Sequence, residues 1–259
     1  MILYFTGTGN TRACALALAK QLGDEALMMP APWLRQPKSA IIQVPDSRLI
    51  VMFPTYCWGV PPVVARLLEH GHFRFKPDTE AWMVTTCGDD IGCTAMQWRT
   101  LMTARGFTVR EAFSVQMPNT YVSMKGFDVD SPEVEKAKID AMPARIAQIA
   151  QTIAGGKSVS DDVVTGKWAW AKSHIIRPWF NRYKTSASKF WVTEECTNCG
   201  LCAARCPLEN IIPGNGHPEW GRSCAQCLRC YHLCPHHAIR YDNATDTKGQ
   251  YRRFLNDKD

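Results

Sequence analysis

The spacing of eight cysteines constrains this chain more than any other feature. Cys196, Cys199, Cys202 and Cys206 are followed by Pro207, and Cys224, Cys227, Cys230 and Cys234 by Pro235. Both runs read Cys-x2-Cys-x2-Cys-x3-Cys-Pro. The other four of the 12 cysteines, Cys14, Cys57, Cys87 and Cys93, are scattered through the first half. A disulfide framework needs an oxidising compartment. The chain opens Met1-Ile2-Leu3-Tyr4-Phe5 and reaches a glycine loop at once, without a basic leader or a small-residue cleavage site. No apolar run approaches the roughly 18 residues of a membrane span. The expected compartment is the cytoplasm, where reduced thiols are free to bind metal.

Three cysteines two residues apart wrap thiolates around three iron corners of a cube, and the displaced fourth, followed by proline, reaches the other cluster. The expected ligation is therefore crossed. Cys196, Cys199, Cys202 and Cys234 hold one [4Fe–4S] cluster, and Cys206, Cys224, Cys227 and Cys230 hold the other. Zinc is the alternative for repeated Cys-x2-Cys. It needs neither the duplicated three-plus-one pattern nor a proline after each fourth cysteine. The stretch from Thr193 to Tyr241 resembles the bacterial two-cluster ferredoxins, a small α+β domain. Gly200, Ala203, Ala204 and Ala225 are expected to let backbone amides approach the sulfurs. Gly214-Asn215-Gly216 reads as a turn. With eight thiolates completing two cubes, His217, His232, His236 and His237 are expected at the surface.

The first half alternates two periodicities. Apolar runs at Ile2–Phe5, Leu49–Phe53, Ala81–Thr85 and Val109–Val115 read as buried strands, with a short second strand at Leu27–Met29. Helical patterns lie between them at Thr11–Leu22, Val60–His70, Thr94–Arg105 and, begun by Ser131-Pro132, through Ala154. Alternating β and α units predict an α/β domain: a doubly wound parallel five-stranded sheet with helices on both faces.

Three loops in that half carry chemistry. Thr6-Gly7-Thr8-Gly9-Asn10-Thr11 joins the first strand to the first helix. Hydroxyls and backbone N–H groups at a helix N-terminus form an anion site. The third glycine of a dinucleotide loop and the lysine of a P-loop are both missing. Pro54-Thr55-Tyr56-Cys57-Trp58-Gly59 follows the third long strand and Thr85-Thr86-Cys87-Gly88-Asp89-Asp90 the fourth. In such sheets a ligand sits at the carboxyl ends of the strands, where their order reverses. The Thr-x-Thr-Gly-x-Thr spacing and the two later loops resemble the flavodoxin family. That resemblance implies FMN, its phosphate held by Thr6, Thr8, Gly9, Asn10 and Thr11. The isoalloxazine would be bound by Pro54, Thr55, Tyr56, Cys57, Trp58 and Gly59 together with Thr86, Cys87, Gly88 and Asp89, through a stacked aromatic ring and backbone groups at its polar edge. Tyr56 or Trp58 is the expected stacking ring. Where many flavodoxins place a second aromatic after the Gly-Asp, this chain has Ile91-Gly92-Cys93. Tyr121 or the connector is then the candidate to cover the other face. Cys57 and Cys87 read as inert loop thiols.

Expected boundaries are 1–154 for the flavodoxin-like domain, 155–192 for a connector, 193–245 for the ferredoxin-like domain and 246–259 for a polar tail. The connector supplies +5 of the chain's net charge of +6, and its tryptophans and tyrosine make it too apolar for a loose linker. Interleaved basic and aromatic residues also suit single-stranded nucleic acid, but no recognised binding module accompanies them, so none is expected as a partner. The whole chain resembles the ferredoxin–flavodoxin fusion proteins of anaerobic bacteria and archaea. The resemblance implies an electron carrier passing electrons between two [4Fe–4S] clusters and FMN, with redox proteins as partners. The alternative is a flavin-dependent reductase of a small substrate that uses the clusters as an internal wire.

Overall fold

The computed structural model describes residues 1–45, 47–156, 160–183, 185–214 and 216–255. In its first half the elements are β1 (Ile2–Tyr4), α1 (Asn10–Leu22), β2 (Ala26–Met28), α2 (Ala31–Arg35), β3 (Ile41–Gln43), β4 (Arg48–Pro54), α3 (Pro62–His70), β5 (His72–Arg74), β6 (Glu80–Cys87), α4 (Thr94–Ala104), β7 (Thr108–Gln116) and α5 (Pro132–Gly155). Five strands form one parallel sheet in the order β2-β1-β4-β6-β7. This is the flavodoxin-like doubly wound order, in which the chain moves outward from β1 to β2 and then crosses to the other side. The reversal falls between β1 and β4.

Side-chain alternation divides the core into two layers. Ile2, Tyr4, Ile50, Met52, Trp82 and Val84 face α1 and α5, where Cys14, Leu18, Ile146 and Ile149 close the layer. Leu3, Phe5, Val51, Phe53 and Met83 face the other way, onto Val64, Leu67, Leu68, Trp98 and Met102 of α3 and α4. Helices cover both faces, so the strands are apolar throughout rather than alternately polar. Helix α5 starts as expected: Ser131 caps it by accepting the Val134 N–H at 3.4 Å. A separate parallel pair, β3 with β5, was not expected. Its strands have three residues each and bury only Ile42 fully, too little for a period to show.

The connector forms α6 (Ala169–Ala171), a π-helical turn (Lys172–Ile176) and α7 (Arg177–Tyr183) in direct succession. Pro178 has no N–H to give the preceding turn, and its ring crowds the carbonyls there, which accounts for a widened turn at this point. The second module contains β8 (Phe190–Val192), α8 (Leu201–Ala204), β9 (Ile211–Pro213), β10 (Pro218–Trp220), α9 (Arg229–Leu233) and β11 (Ile239–Tyr241). Strands β8 and β11 pair antiparallel, as do β9 and β10. Asn215 of the expected turn lies outside the described residues; Gly214 N–H donates to the His217 carbonyl at 3.0 Å across it.

The two halves are packed into one another. Leu208 and Ala225 of the second module are buried in the core layer of α3 and α4, and Val122, after β7, is buried with Phe190, Tyr231, Ile239 and Tyr241. His232 corrects the expectation of surface histidines: it is fully buried. Its Nδ1 accepts the Tyr251 N–H at 3.0 Å, so its Nε2 carries the proton and donates to the Thr120 carbonyl at 2.8 Å. Burial pushes its pKa down to about 4, and the bond to Thr120 opposes the shift. The described part of the tail, up to Leu255, is also packed. Gln250 donates to the carbonyls of Tyr231 and Cys234, and the Tyr251 hydroxyl donates to Asn10 Oδ1 at 2.6 Å. Tyr251 and Leu255 are buried, and Phe254 packs on the α1 layer.

Residues 250–255 therefore strap the second module to the start of α1. Tyr251→Phe removes the 2.6 Å bond and leaves Asn10 Oδ1 without that donor in a dry site. The expected cost is about 1–2 kcal/mol. It should appear as a lower urea midpoint at unchanged slope, with faster amide exchange in residues 6–11.

Candidate functional site

The loops after β1, β4, β6 and β7 gather at the carboxyl edge of the sheet. In the first, Thr6 Oγ1 accepts the Gly9 N–H at 3.1 Å and the Thr11 and Thr86 hydroxyls lie 2.8 Å apart. Thr8 donates to Thr120 Oγ1 at 3.4 Å, and Asn10 Nδ2 to the Pro118 carbonyl at 2.9 Å. Thr6, Thr8, Asn10 and Thr11 are all buried. No side chain caps α1 and no acidic residue stands in its first turn. A buried helix start with hydroxyls around it and no carboxylate suits an anion.

Two glycines hold this loop where it is, for different reasons. A Cβ on Gly7 would meet the Tyr56 hydroxyl at 2.7 Å and Cys227 Cβ at 2.8 Å. Gly9 has φ 92, and a side chain there would strike the backbone carbonyl of Phe254. The bare α-carbon at Gly9 thus serves the strap as well as the loop.

The loop after β4 carries two bulky residues in the left-handed region, Cys57 at φ 46 and Trp58 at φ 55. Each costs of the order of 1–2 kcal/mol, a strain that clusters at functional sites. Tyr56 N–H donates to the Gly59 carbonyl at 3.0 Å and closes the turn. Thr55 and Thr85 share a 2.9 Å hydroxyl contact, and Thr55 N–H donates to the Thr86 carbonyl at 2.7 Å, so Pro54–Thr55 and the end of β6 move as one. Gly88 lies against Asn119, while the Asp89 carbonyl accepts from Gln116 at 2.9 Å. Burial raises Cys57 to about 11 and Cys87 to about 12; Arg177 opposes the first shift, and Asp90 and Asp89 add to the second. Both thiols are protonated at neutral pH, as inert thiols are.

The connector sits on these loops. Ser173 Oγ donates to the Trp58 carbonyl and accepts the Cys93 N–H, both at 2.8 Å. Lys172 pairs with Asp90 at 2.6 Å and lies 5.2 Å from the Trp58 ring centre. Arg177 donates to the Val60 carbonyl at 2.6 Å and fills the space a Gly59 side chain would need. Phe180 meets Tyr121 edge-on, 5.8 Å between ring centres. Both candidates for the second face, Tyr121 and the connector, are therefore present together. The Tyr121 hydroxyl is buried with no partner, and burial raises its pKa, with the nearby Cys57 contributing. An orphaned phenol among these loops fits a site that receives a polar ligand. Nothing local in the sequence marked Ser173, Arg177 or Tyr251, because each acts through a backbone contact or a long-range bond.

The eight cysteines fall into the two crossed quartets. Cys196, Cys199, Cys202 and Cys234 line one cavity together with Gly200, Leu201 and Pro235. In the other quartet burial raises the Cys224, Cys227 and Cys230 thiols, and the neighbouring Cys206 adds to all three. Among the described residues no three His, Cys, Asp or Glu side chains converge as ligands of a single ion do. Backbone N–H groups of Asn210, Gln226 and Ala238 donate to the sulfurs of Cys206, Cys224 and Cys234 at 3.3, 3.4 and 3.3 Å.

The two runs are one turn built twice. Asn198 and Gly200 flank Cys199 with φ 50 and 74; Gln226 and Leu228 flank Cys227 with φ 56 and 58. Three residues past each fourth cysteine, Glu209 and His237 repeat the geometry at φ 46 and 48. Nothing lies within 4 Å of a Cβ built on Gly200. Glycine takes that dihedral without strain, but Leu228 holds the same place in the second run, so neither crowding near the sulfurs nor the turn itself demands it.

Residues 195–239 match the family described as 4Fe-4S dicluster domain. A ferredoxin of Thermoanaerobacterium thermosaccharolyticum is 54% identical over 28 residues, which are 11% of this chain and 51% of that one. The chain thus spans about half the length of that curated relative. A flavoprotein structure from Bacteroides uniformis overlaps 54% of this chain and 96% of its own at 16% identity and a TM-score of 0.36. A flavodoxin, WrbA-like protein from Agrobacterium tumefaciens overlaps 58% and 96% at 17% identity and a TM-score of 0.35. The fold assignment rests on the sheet order instead. The chain joins a flavodoxin-like α/β domain to a segment that matches the 4Fe-4S dicluster description. No helix among the described residues is long and apolar enough to cross a membrane.

The crossed quartets predict an unusual mutant. In Cys206→Ala the damaged centre should be the one ringed by Cys224, Cys227 and Cys230, with its own run's centre preserved. Electron paramagnetic resonance of reduced protein, compared with Cys196→Ala, reads which of two signals disappears; loss of the same signal in both would contradict the crossing.

Proposed function

We propose that this chain is an electron-transfer protein holding two [4Fe–4S] clusters and one FMN. Cys196, Cys199, Cys202 and Cys234 would ligate one cluster, and Cys206, Cys224, Cys227 and Cys230 the other. Thr6 to Thr11 would hold the FMN phosphate, with Pro54–Gly59, Thr86–Asp89 and Tyr121 around the ring system. When bound, the clusters supply one-electron steps and the flavin accepts one or two, so the chain converts between them.

The observation that carries this reading is the packing of Cys227 on Gly7. It sets the inner cysteine quartet against the loop that would grip the flavin. The outer quartet includes Cys199, the one exposed cysteine of the eight. That arrangement suits a path from a docked partner to the sheet edge. Residues of the chain do the positioning: Tyr56 fills the space over Gly7, and amides turned toward the sulfurs by left-handed residues tune the centres. The connector favours a carrier over a reductase of small substrates, because Lys172, Ser173, Arg177 and Phe180 occupy the approach to the flavin loops.

Anaerobically purified protein should contain about eight iron, about eight acid-labile sulfide and about one FMN per chain. Stoichiometric zinc with little iron would end the reading. Gly9→Leu should abolish flavin retention while iron content stays at the wild-type level. The cause is a leucine at φ 92 driven into the Phe254 carbonyl, which displaces the loop. Flavin released on denaturation, measured beside iron, checks this, and unchanged flavin occupancy would place the flavin elsewhere.

A further inference from the structure

The connector helix has an inner face already assigned and an outer face that is not. Inward, Ser173, Arg177 and Phe180 recur at i, i+4 and i+7 and meet the loops. Outward, Ile175, Trp179 and Tyr183 recur at i, i+4 and i+8, exposed by 59%, 48% and 56%. Trp168 and Trp170 extend this face at 81% and 62% exposure. Three exposed indoles and an exposed phenol on 16 residues are far from a scatter of single side chains.

Charge narrows what covers it. No acidic residue lies between Val163 and Val192, while Lys167, Lys172, Arg177, Arg182, Lys184 and Lys189 do. Asp161 and Asp162, just before, are tied to Arg99 and Arg145. Lys172 is neutralised by Asp90, and Arg177 is turned inward. Lys167 and Arg182 are exposed on the apolar strip itself, Arg182 with its guanidinium 5.6 Å from the Tyr183 ring centre.

We infer that this face is a monotopic docking surface for anionic lipid. Tryptophan and tyrosine place an apolar ring at the acyl boundary and a polar atom among headgroups. Lys167 and Arg182 stand where they meet lipid phosphates. A second copy of the chain is a poorer occupant, since two-fold pairing would set this basic strip against itself. The inference is independent of the cofactors.

Flotation of the intact protein with vesicles tests it. One set is phosphatidylcholine alone, the other equal parts phosphatidylcholine and phosphatidylglycerol, each at low and high salt. Wild type should float with the anionic vesicles at low salt, with a blue shift of tryptophan emission, and bind phosphatidylcholine roughly tenfold less well. Trp168→Ser/Trp170→Ser should abolish flotation at unchanged iron content and circular dichroism. Lys167→Glu/Arg182→Glu, which leaves the apolar strip whole, should weaken it by roughly thirtyfold or more. No flotation of wild type, or flotation indifferent to both variants, overturns the proposal. A wild-type dimer that the tryptophan variant converts to monomer, without vesicle binding, gives the face to a second copy instead. A monomer that ignores vesicles leaves it to a protein partner and equally overturns the lipid assignment.

Discussion

The approach of Cys227 to Gly7 is the contact on which the rest of the molecule depends. A single methyl group at Gly7 would collide with both the Tyr56 hydroxyl and the cysteine Cβ. With hydrogen there, the backbone of the second module reaches the carboxyl edge of the sheet, and Leu208 and Ala225 enter a core layer that belongs mainly to α3 and α4. Arg35 and Glu209 then pair at 2.7 Å on the outside. That exposed pair adds little energy. The burial of apolar side chains supplies the adhesion, and hydrogen bonds such as His232 to Thr120 fix the register.

His232 illustrates how a polar group can be used at such a boundary. Each ring nitrogen meets one backbone partner, an acceptor in one domain and a donor in the strap. A charged imidazolium could not accept the Tyr251 N–H, so the interface is built for the neutral form. Replacing it by an apolar residue would leave two backbone groups without partners in a dry site, which is why burial alone does not describe its role.

Much of this was legible in the sequence, for stated physical reasons. Strands buried on both faces advertise themselves as unbroken apolar runs, so Leu49–Phe53 and Ala81–Thr85 were located to within two residues. Metal-type cysteine runs have a spacing that few other demands would produce. The three glycine- and threonine-rich loops could be placed at one edge because the order of β and α units sets where strands end. What remained hidden depended on contacts distant along the chain. The β3–β5 ribbon is too short for a pattern, and His232 looks like any histidine near a cysteine run. Tyr251 lies in a polar tail whose composition gave no hint that Asn10, 241 residues earlier, would accept its hydroxyl. The connector showed its aromatic content, but which of its side chains face inward depends on the π-turn ahead of Pro178.

The strap also has a consequence in time. Residues 250–255 leave the ribosome after the whole flavodoxin-like domain, and domains generally fold as they emerge, N-terminal first. While the later segments are being made, the Thr6–Thr11 loop stands open, with neither Cys227 over Gly7 nor Phe254 over Gly9. Synthesis therefore leaves an interval in which the start of α1 is uncovered, and it ends when Tyr251 reaches Asn10. The order of residues along the chain becomes an order of assembly, with the closure written last.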